Sequence, residues 1–180
     1  MALQEVHAQE GPLSINGNTG NFEYAKCDPT GKIIVTEDSM PLRAVWLIIE
    51  GKISCECLLD GGSQMVRMNE NVWKKIGNNL RIQECVEMQA ANSGRTLSNG
   101  RLENVKFTFG DIDIFLQVQV MTGVPYDVLL GQPFTALTKC VTHEWRNSDA
   151  HITIWDPNSD TIITIPTRRR IQQHVAQTDF

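Results

Sequence analysis

Between Val105 and Val120 the apolar residues change parity once. Val105, Phe107 and Phe109 stand on odd positions; after Gly110-Asp111, Ile112, Ile114, Leu116, Val118 and Val120 stand on even ones. Strand side chains alternate between two faces, so a parity switch across a Gly-Asp pair is what a tight turn between paired strands produces. A long hairpin with one buried face is therefore predicted here, and the rest of the chain must supply a core for that face.

The neighbouring segments read the same way. Residues 44–50 and 53–59 are two apolar strands joined at Glu50-Gly51-Lys52. Asn69 is placed to cap a helix that Gly77-Asn78 stops, with Glu70 in its first turn and Lys74 and Lys75 in its last, the charge order that suits the helix dipole. Residues 86–90 form a strand. Val128-Leu129-Leu130 is short and wholly apolar, so it is expected to be buried on both faces. Residues 134–143 are expected as a second helix. His151–Trp155 and Thr161–Ile165 are expected as a hairpin around Asp156-Pro157-Asn158-Ser159-Asp160. Many short strands with one or two short helices predict a mainly β domain over residues 41–167. Residues 1–40 carry loop signals at Gly11-Pro12, Asn16-Gly17-Asn18 and Gly20-Asn21 and are read as a flexible arm or linker. Within them, 33–35 is the one candidate strand. Residues 168–180 open with Arg168-Arg169-Arg170 and are read as a polar tail. No internal repeat is found.

A chain of 180 residues, 41% hydrophobic, suits one domain with tails. Its formal net charge of -5 argues against broad attraction to nucleic acid or an anionic membrane. The apolar run 44–49 is too short to span a bilayer, and Met1-Ala2-Leu3-Gln4-Glu5 lacks the basic start and apolar stretch of a signal peptide. The expectation is a soluble, cytoplasmic protein. The five cysteines, Cys27, Cys55, Cys57, Cys85 and Cys140, form no Cys-x-x-Cys pair, and no His-x-x-x-His pair accompanies them, so no structural metal and no cofactor is predicted. Reduced, partly buried thiols are expected, with Cys55 and Cys57 on one strand face. His7, His143, His151 and His174 are scattered, without nucleophile spacing to a Ser or Cys. Asp111 and Asp113 read as solvated turn carboxylates rather than a metal pair. The scattered Trp46, Trp73, Trp145 and Trp155 read as packing residues.

The chemistry concentrates in two stretches. In Cys57-Leu58-Leu59-Asp60-Gly61-Gly62-Ser63-Gln64 an apolar strand delivers one carboxylate into a glycine turn with a hydroxyl three residues on. Later, Asp127-Val128-Leu129-Leu130-Gly131-Gln132-Pro133-Phe134 is a second apolar strand ending in glycine. Peptide hydrolysis by paired carboxylates needs two Asp side chains about 3 Å apart that share one proton, since like charges so close cannot both ionise. One Asp turn per chain supplies such a pair only across a two-fold axis. The glycines after Asp60 permit a tight turn and close approach of two backbones, and the Ser63 hydroxyl is expected to hydrogen-bond the outer carboxylate oxygen and help keep one Asp charged.

These motifs, in this order, resemble the retropepsin-like proteases of Gypsy-type LTR retrotransposons, particularly fungal Pol polyproteins. The resemblance covers about residues 44–167 and includes the later Trp155-Asp156-Pro157-Asn158 turn and the Ile165-Pro166-Thr167 ending. It implies a closed β-barrel protomer of the acid-protease type, active as a homodimer, cleaving a polyprotein substrate without cofactor, nucleic acid or membrane. Asp60 is then the catalytic carboxylate, and Gly61, Gly62, Ser63 and Gln64 form its loop. Leu129, Leu130 and Gly131 pack behind that loop. The hairpin between Val86 and Val105 supplies a flap over substrate, its tip near Asn92, Ser93, Gly94 and Arg95, with Ser98-Asn99-Gly100 as a rival tip. The departures are informative. Retropepsins usually place Thr or Ser after the Asp, and those hydroxyls brace the paired loops across subunits; here that residue is Gly61. Retroviral members often carry an acidic residue four after the Asp and an Arg after the apolar-apolar-Gly; here these are Gln64 and Gln132, two amides able to bond each other. The competing reading is a catalytically silent or domesticated binding or dimerisation module of the same fold.

Overall fold

The computed structural model describes residues 39–77, 79, 81–89, 94–145 and 149–170, with backbone alone at Gln83 and Gln89 and in four short strands nearer the N-terminus. The chain divides into two compact units, 1–40 and 41–180. In the first, β1 (Glu5–His7) pairs antiparallel with β4 (Lys32–Ile34), and β2 (Leu13–Ile15) with β3 (Phe22–Tyr24). The sequence singled out only the last of these strands; the other expectations for the arm lie outside the described residues.

The second unit is built on β5 (Arg43–Ile49), β6 (Ile53–Leu59), β7 (Val66–Asn69), β8 (Glu87–Gln89), β9 (Arg95–Leu97), β10 (Gly100–Phe109), β11 (Ile112–Met121) and β12 (Val128–Leu130). Six of these close a ring in the order β5-β6-β12-β7-β11-β10, with β10 returning to β5 at Ile49 and Ile48. The result is a closed, mainly β barrel; the patterning predicted the mainly β domain and the resemblance implied the closed barrel. The β5–β6 connection is the three-residue turn Glu50-Gly51-Lys52, with Glu50 at φ 54, Gly51 at φ 65 and the Lys52 amide donating to the Ile49 carbonyl at 2.9 Å.

The β10–β11 hairpin has the predicted register, Phe109 opposite Ile112, Phe107 opposite Ile114 and Val105 opposite Leu116. Further out, Leu102 opposes Val118, so one residue is inserted, and Asn104 takes φ 51 there. This bulge resets the parity of β10. Leu102 and Val105 are thus both fully buried although one is even and the other odd. The barrel interior holds Val45, Leu47, Ile49, Cys55, Cys57, Val66, Met68 and the inward residues of β10, β11 and β12. Cys55 and Cys57 are free thiols on one face, and burial pushes the Cys57 thiol well up.

Helix α1 (Glu70–Ile76) forms as predicted. Asn69 accepts a hydrogen bond from the Asn71 amide at 2.9 Å, and Gly77, at φ 74, closes the end by donating its amide to the Trp73 carbonyl. Its apolar face buries Val72 and Ile76.

The second helix is shorter than the expected 134–143. Helix α2 (Gln132–Leu137) starts with Pro133 in its first turn, and Lys139 at φ 48 breaks the helical path. Residues 141–144 form β13 (Val141–Glu144), paired with β14 (Ala150–Trp155), which pairs in turn with β15 (Ile162–Pro166). A short β-branched run beside an available edge goes to strand rather than helix. This sheet closes one side of the core through Ile152 and Ile154, and Phe134 of α2 stacks on Phe109 at 5.3 Å. Arg168–Arg169, expected in the polar tail, form β16 along the free edge of β5, with exposed side chains. No helix among the described residues is long and apolar enough to cross a membrane.

Candidate active site

Strand β6 ends at Leu59 and hands the chain to Asp60. It runs parallel to β12, with Leu58 beside Leu129 and Leu59 beside Leu130. The ladder continues one step past the strands, since the Asp60 amide donates to the Leu130 carbonyl at 3.0 Å. The backbone then turns. The Ser63 amide donates to the Asp60 carbonyl at 3.1 Å, and the Gly62 amide donates to the Asp60 carboxylate Oδ1 at 3.0 Å. A Cβ on Gly62 would stand 3.3 Å from that oxygen. The carboxylate is half-buried, with Gly61 and Gly62 exposed beside it.

The second motif braces the first. The Gln132 amide donates to the Ser63 carbonyl at 2.8 Å, and the Gln132 side-chain amide donates to the Gly61 carbonyl. Gly131 is pressed against the loop: a Cβ there would lie 2.4 Å from the Met65 carbonyl oxygen and 2.5 Å from that of Ser63. Its φ of -95 is ordinary, so it is space and not backbone conformation that requires glycine. Leu129 and Leu130 are buried behind the loop.

Two expectations about the loop are corrected. Ser63 does not bond the carboxylate within the protomer; its Oγ donates to the Met65 carbonyl at 3.0 Å and accepts from Arg67 Nη2 at 3.0 Å. It is buried. Gln132 is likewise engaged with Gly61 rather than with Gln64, whose side chain is exposed. Gly61 borders open space, and a Cβ added to it would meet no atom within 4 Å.

A hairpin, β8–β9, forms within the stretch 86–105 where a flap was expected, with Glu87 opposite Leu97, Met88 opposite Thr96 and Gln89 opposite Arg95. Gly94 and Arg95 lie on its far side, Arg95 pairing with Glu87 at 3.5 Å. Asn92 and Ser93 lie outside the described residues. The rival tip, Ser98-Asn99-Gly100, is instead the joint between β9 and β10. Gly100 takes φ 140, and a Cβ there would meet the Arg81 carbonyl oxygen at 2.6 Å. At this root the Ser98 hydroxyl accepts from the Val86 amide at 2.9 Å and donates to Gln119 Oε1 at 2.8 Å. Gln119 faces outward from β11, yet it is buried because the hairpin root covers it.

Sequence reading missed Gln119, Arg67 and Tyr126, and gave Ser98 only as part of the rival tip. The Arg67 guanidinium sits 5.8 Å from the centre of the Tyr126 ring. Burial raises the Tyr126 phenol pKa; Arg67 opposes the shift and the Asp60 charge adds to it. In β7 Val66 and Met68 are buried and Arg67 between them takes the other face; nothing local in the sequence ties that face to Asp60. Asp113, one of the paired turn carboxylates, accepts from the Thr108 hydroxyl at 2.6 Å and lies 3.4 Å from Lys106 Nζ.

A family model described as aspartyl protease matches residues 45–134, half of the chain. Among solved structures, the retroviral protease-like domain of Ddi1 from Leishmania major superposes with a TM-score of 0.55 at 18% identity, over 72% of this chain and 96% of that one. It shows a shared fold. A retropepsin-like aspartic protease from Rickettsia conorii gives a TM-score of 0.47 at 10% identity, over 92% and 98% of the two chains. No curated protein matches the sequence.

Proposed function

The chain belongs to the aspartyl protease family, and from that premise we propose that it is an aspartic endopeptidase active as a two-fold homodimer, with Asp60 contributed by each subunit. The observation that carries the proposal is the Asp60 loop. A half-buried carboxylate is fixed by the Gly62 amide, anchored from behind by Leu130 and Gln132, and flanked by an exposed glycine with open space around it. A second copy can approach that glycine closely.

In the paired site the two carboxyls share one proton. The ionised one takes a proton from a water as the water oxygen adds to the scissile carbonyl carbon. The protonated one gives its proton to the carbonyl oxygen. Collapse of the tetrahedral diol breaks the carbon–nitrogen bond as one diol hydroxyl gives its proton to the ionised carboxylate and the protonated carboxyl gives its own to the leaving amine, which restores the singly protonated dyad. No step needs a metal or a covalent intermediate.

The substrate we infer is an extended polypeptide. The likeness of Asp60–Gln64, Asp127–Phe134 and the Trp155–Asn158 turn to retrotransposon proteases favours a retrotransposon polyprotein. Free thiols at Cys55, Cys57, Cys85 and Cys140 fit a cytoplasmic setting. Gly61 supports a second reading, a silent binding or dimerisation module, because it lacks the hydroxyl that would brace the paired loops.

Cleavage of an unstructured protein at mildly acidic pH separates the two, with wild type beside Asp60→Asn at several enzyme concentrations. Activity lost in the variant, and rising more steeply than linearly with concentration, is expected. A folded dimer that cleaves nothing leaves the silent module.

A further inference from the structure

We propose that Arg67 makes this site select substrates that carry a carboxylate side chain close to the scissile bond. The inference rests on the protease reading proposed above. Across the outer face of the barrel, strand register sets four residues side by side: Gln119 beside Arg67, Arg67 beside Leu129, and Leu129 beside Leu58. One end of that row, Gln119, is bonded to Ser98 at the hairpin root. The other end, Leu58, lies two residues before Asp60. Arg67 therefore stands on the wall between the root of the hairpin and the carboxylate.

Its guanidinium is held in place but not neutralised. Nη2 donates to Ser63 Oγ, the plane lies over Tyr126, and Nε is buried without a hydrogen-bond partner, as is the Tyr126 hydroxyl. Arg81, Arg95 and Arg101 each pair with a glutamate. Among the described residues no carboxylate lies within ion-pair distance of Arg67. A half-buried charge without a counter-ion carries a desolvation cost that an incoming anion relieves. The planar guanidinium fork matches a carboxylate in two-point geometry. Ser63, turned away from Asp60, serves in this arrangement to orient Arg67.

The test uses the full chain with Asp60→Asn, so that peptides bind without being cut, and a randomised peptide library followed by a matched pair differing only as Glu or Gln. Library peptides retained by the protein are expected to be enriched in Asp or Glu at one position. The Glu peptide should bind about tenfold more tightly than the Gln peptide, the scale of one charge-assisted contact. Arg67→Leu should level the pair, Arg67→Lys should keep a reduced preference, and Arg67→Glu should favour a Lys peptide. No acidic enrichment, or an unchanged Glu-to-Gln ratio in Arg67→Leu or Arg67→Glu, overturns the proposal. Wild-type cleavage indistinguishable from that of Asp60→Asn overturns the protease reading instead, and the binding ratios still decide the role of Arg67.

Discussion

In the proposed protease the Asp60 loop and the β8–β9 hairpin would share one task, presenting groups to a substrate, and they are held in different ways. The loop is fixed mainly by backbone. Leu130, Gln132, Ser63 and Gly62 all engage it through main-chain atoms, and Gly131 lets two carbonyls come within what a methyl would occupy. The hairpin has three residue pairs, exposed apolar side chains at Leu97 and Val86, and a root where the buried Ser98–Gln119 side-chain node joins two backbone bonds, Ser98 to Val86 and Asn99 to Val120. Backbone bracing fixes geometry almost independently of sequence, which suits a group that must meet its twin within hydrogen-bond distance. A side-chain node leaves the element beyond it free to open at low cost, which suits a cover that must admit an extended chain.

The largest expected effect breaks the loop. Gly131→Ala places a methyl against the Met65 and Ser63 carbonyls, so the β12 end and the loop must separate. Overpacking of this kind costs about 1–3 kcal/mol, and denaturant unfolding should show it together with loss of cleavage. Full stability and full activity in this variant would mean that the loop is not braced from behind.

The next effect loosens the hairpin. Gln119→Leu removes the acceptor of the Ser98 hydroxyl at a buried site, a change worth about 1–3 kcal/mol. Because the node lies at the root, the expected signature is local: faster hydrogen exchange at the Val86 and Ser98 amides, and a rise in KM larger than the fall in kcat. Equal loss of protection throughout the barrel would make Gln119 a general core residue rather than the tie of the hairpin.

The same contrast explains what could be read from sequence. The hairpin turn at Glu50-Gly51, the Asn69 cap, the Gly77 stop and the Asp60 turn are local chemistry, set by residues within a few positions of one another. The mainly β class followed from parity and from strand count, and the closed barrel from the family resemblance of the two motifs. What escaped depends on non-local neighbours. Residues 141–144 became a strand because β14 offered an edge, and Arg168–Arg169 because β5 did. The bulge at Asn104 shifts parity only once β11 is laid beside β10. Ser63 was assigned to the carboxylate because the two are close in sequence, whereas Arg67, brought round by the loop, competes for its oxygen.

A smaller effect sharpens the comparison at the centre of the proposed dimer. Gly61 is exposed, its φ lies outside the left-handed region, and a side chain there meets nothing in its own protomer. Gly61→Thr supplies the hydroxyl that can cross-bond two loops, worth about 0.5–1.5 kcal/mol per neutral hydrogen bond. Sedimentation should show a tighter dimer. An unchanged or weaker dimer constant would show that the backbone bracing already leaves the second loop no use for such a bond.

The smallest effect separates stability from catalysis in acid. Asp113 lies at the turn end of the β10–β11 hairpin, far along β10 from the β9 joint. The Thr108 hydroxyl, and secondarily Lys106, hold its carboxyl below the usual carboxylate range. A group whose folded pKa is depressed contributes stability that is present above its unfolded pKa and is lost as pH falls through the folded one. A carboxyl dyad sharing one proton has the opposite slope, with activity falling as pH rises through the upper dyad value. Asp113→Asn should therefore flatten the acid limb of a stability profile slightly and leave the alkaline limb of the activity profile in place. A shift of that alkaline limb would tie this end of the hairpin to the active site, and the division between a backbone-braced loop and an independently hinged cover would fail.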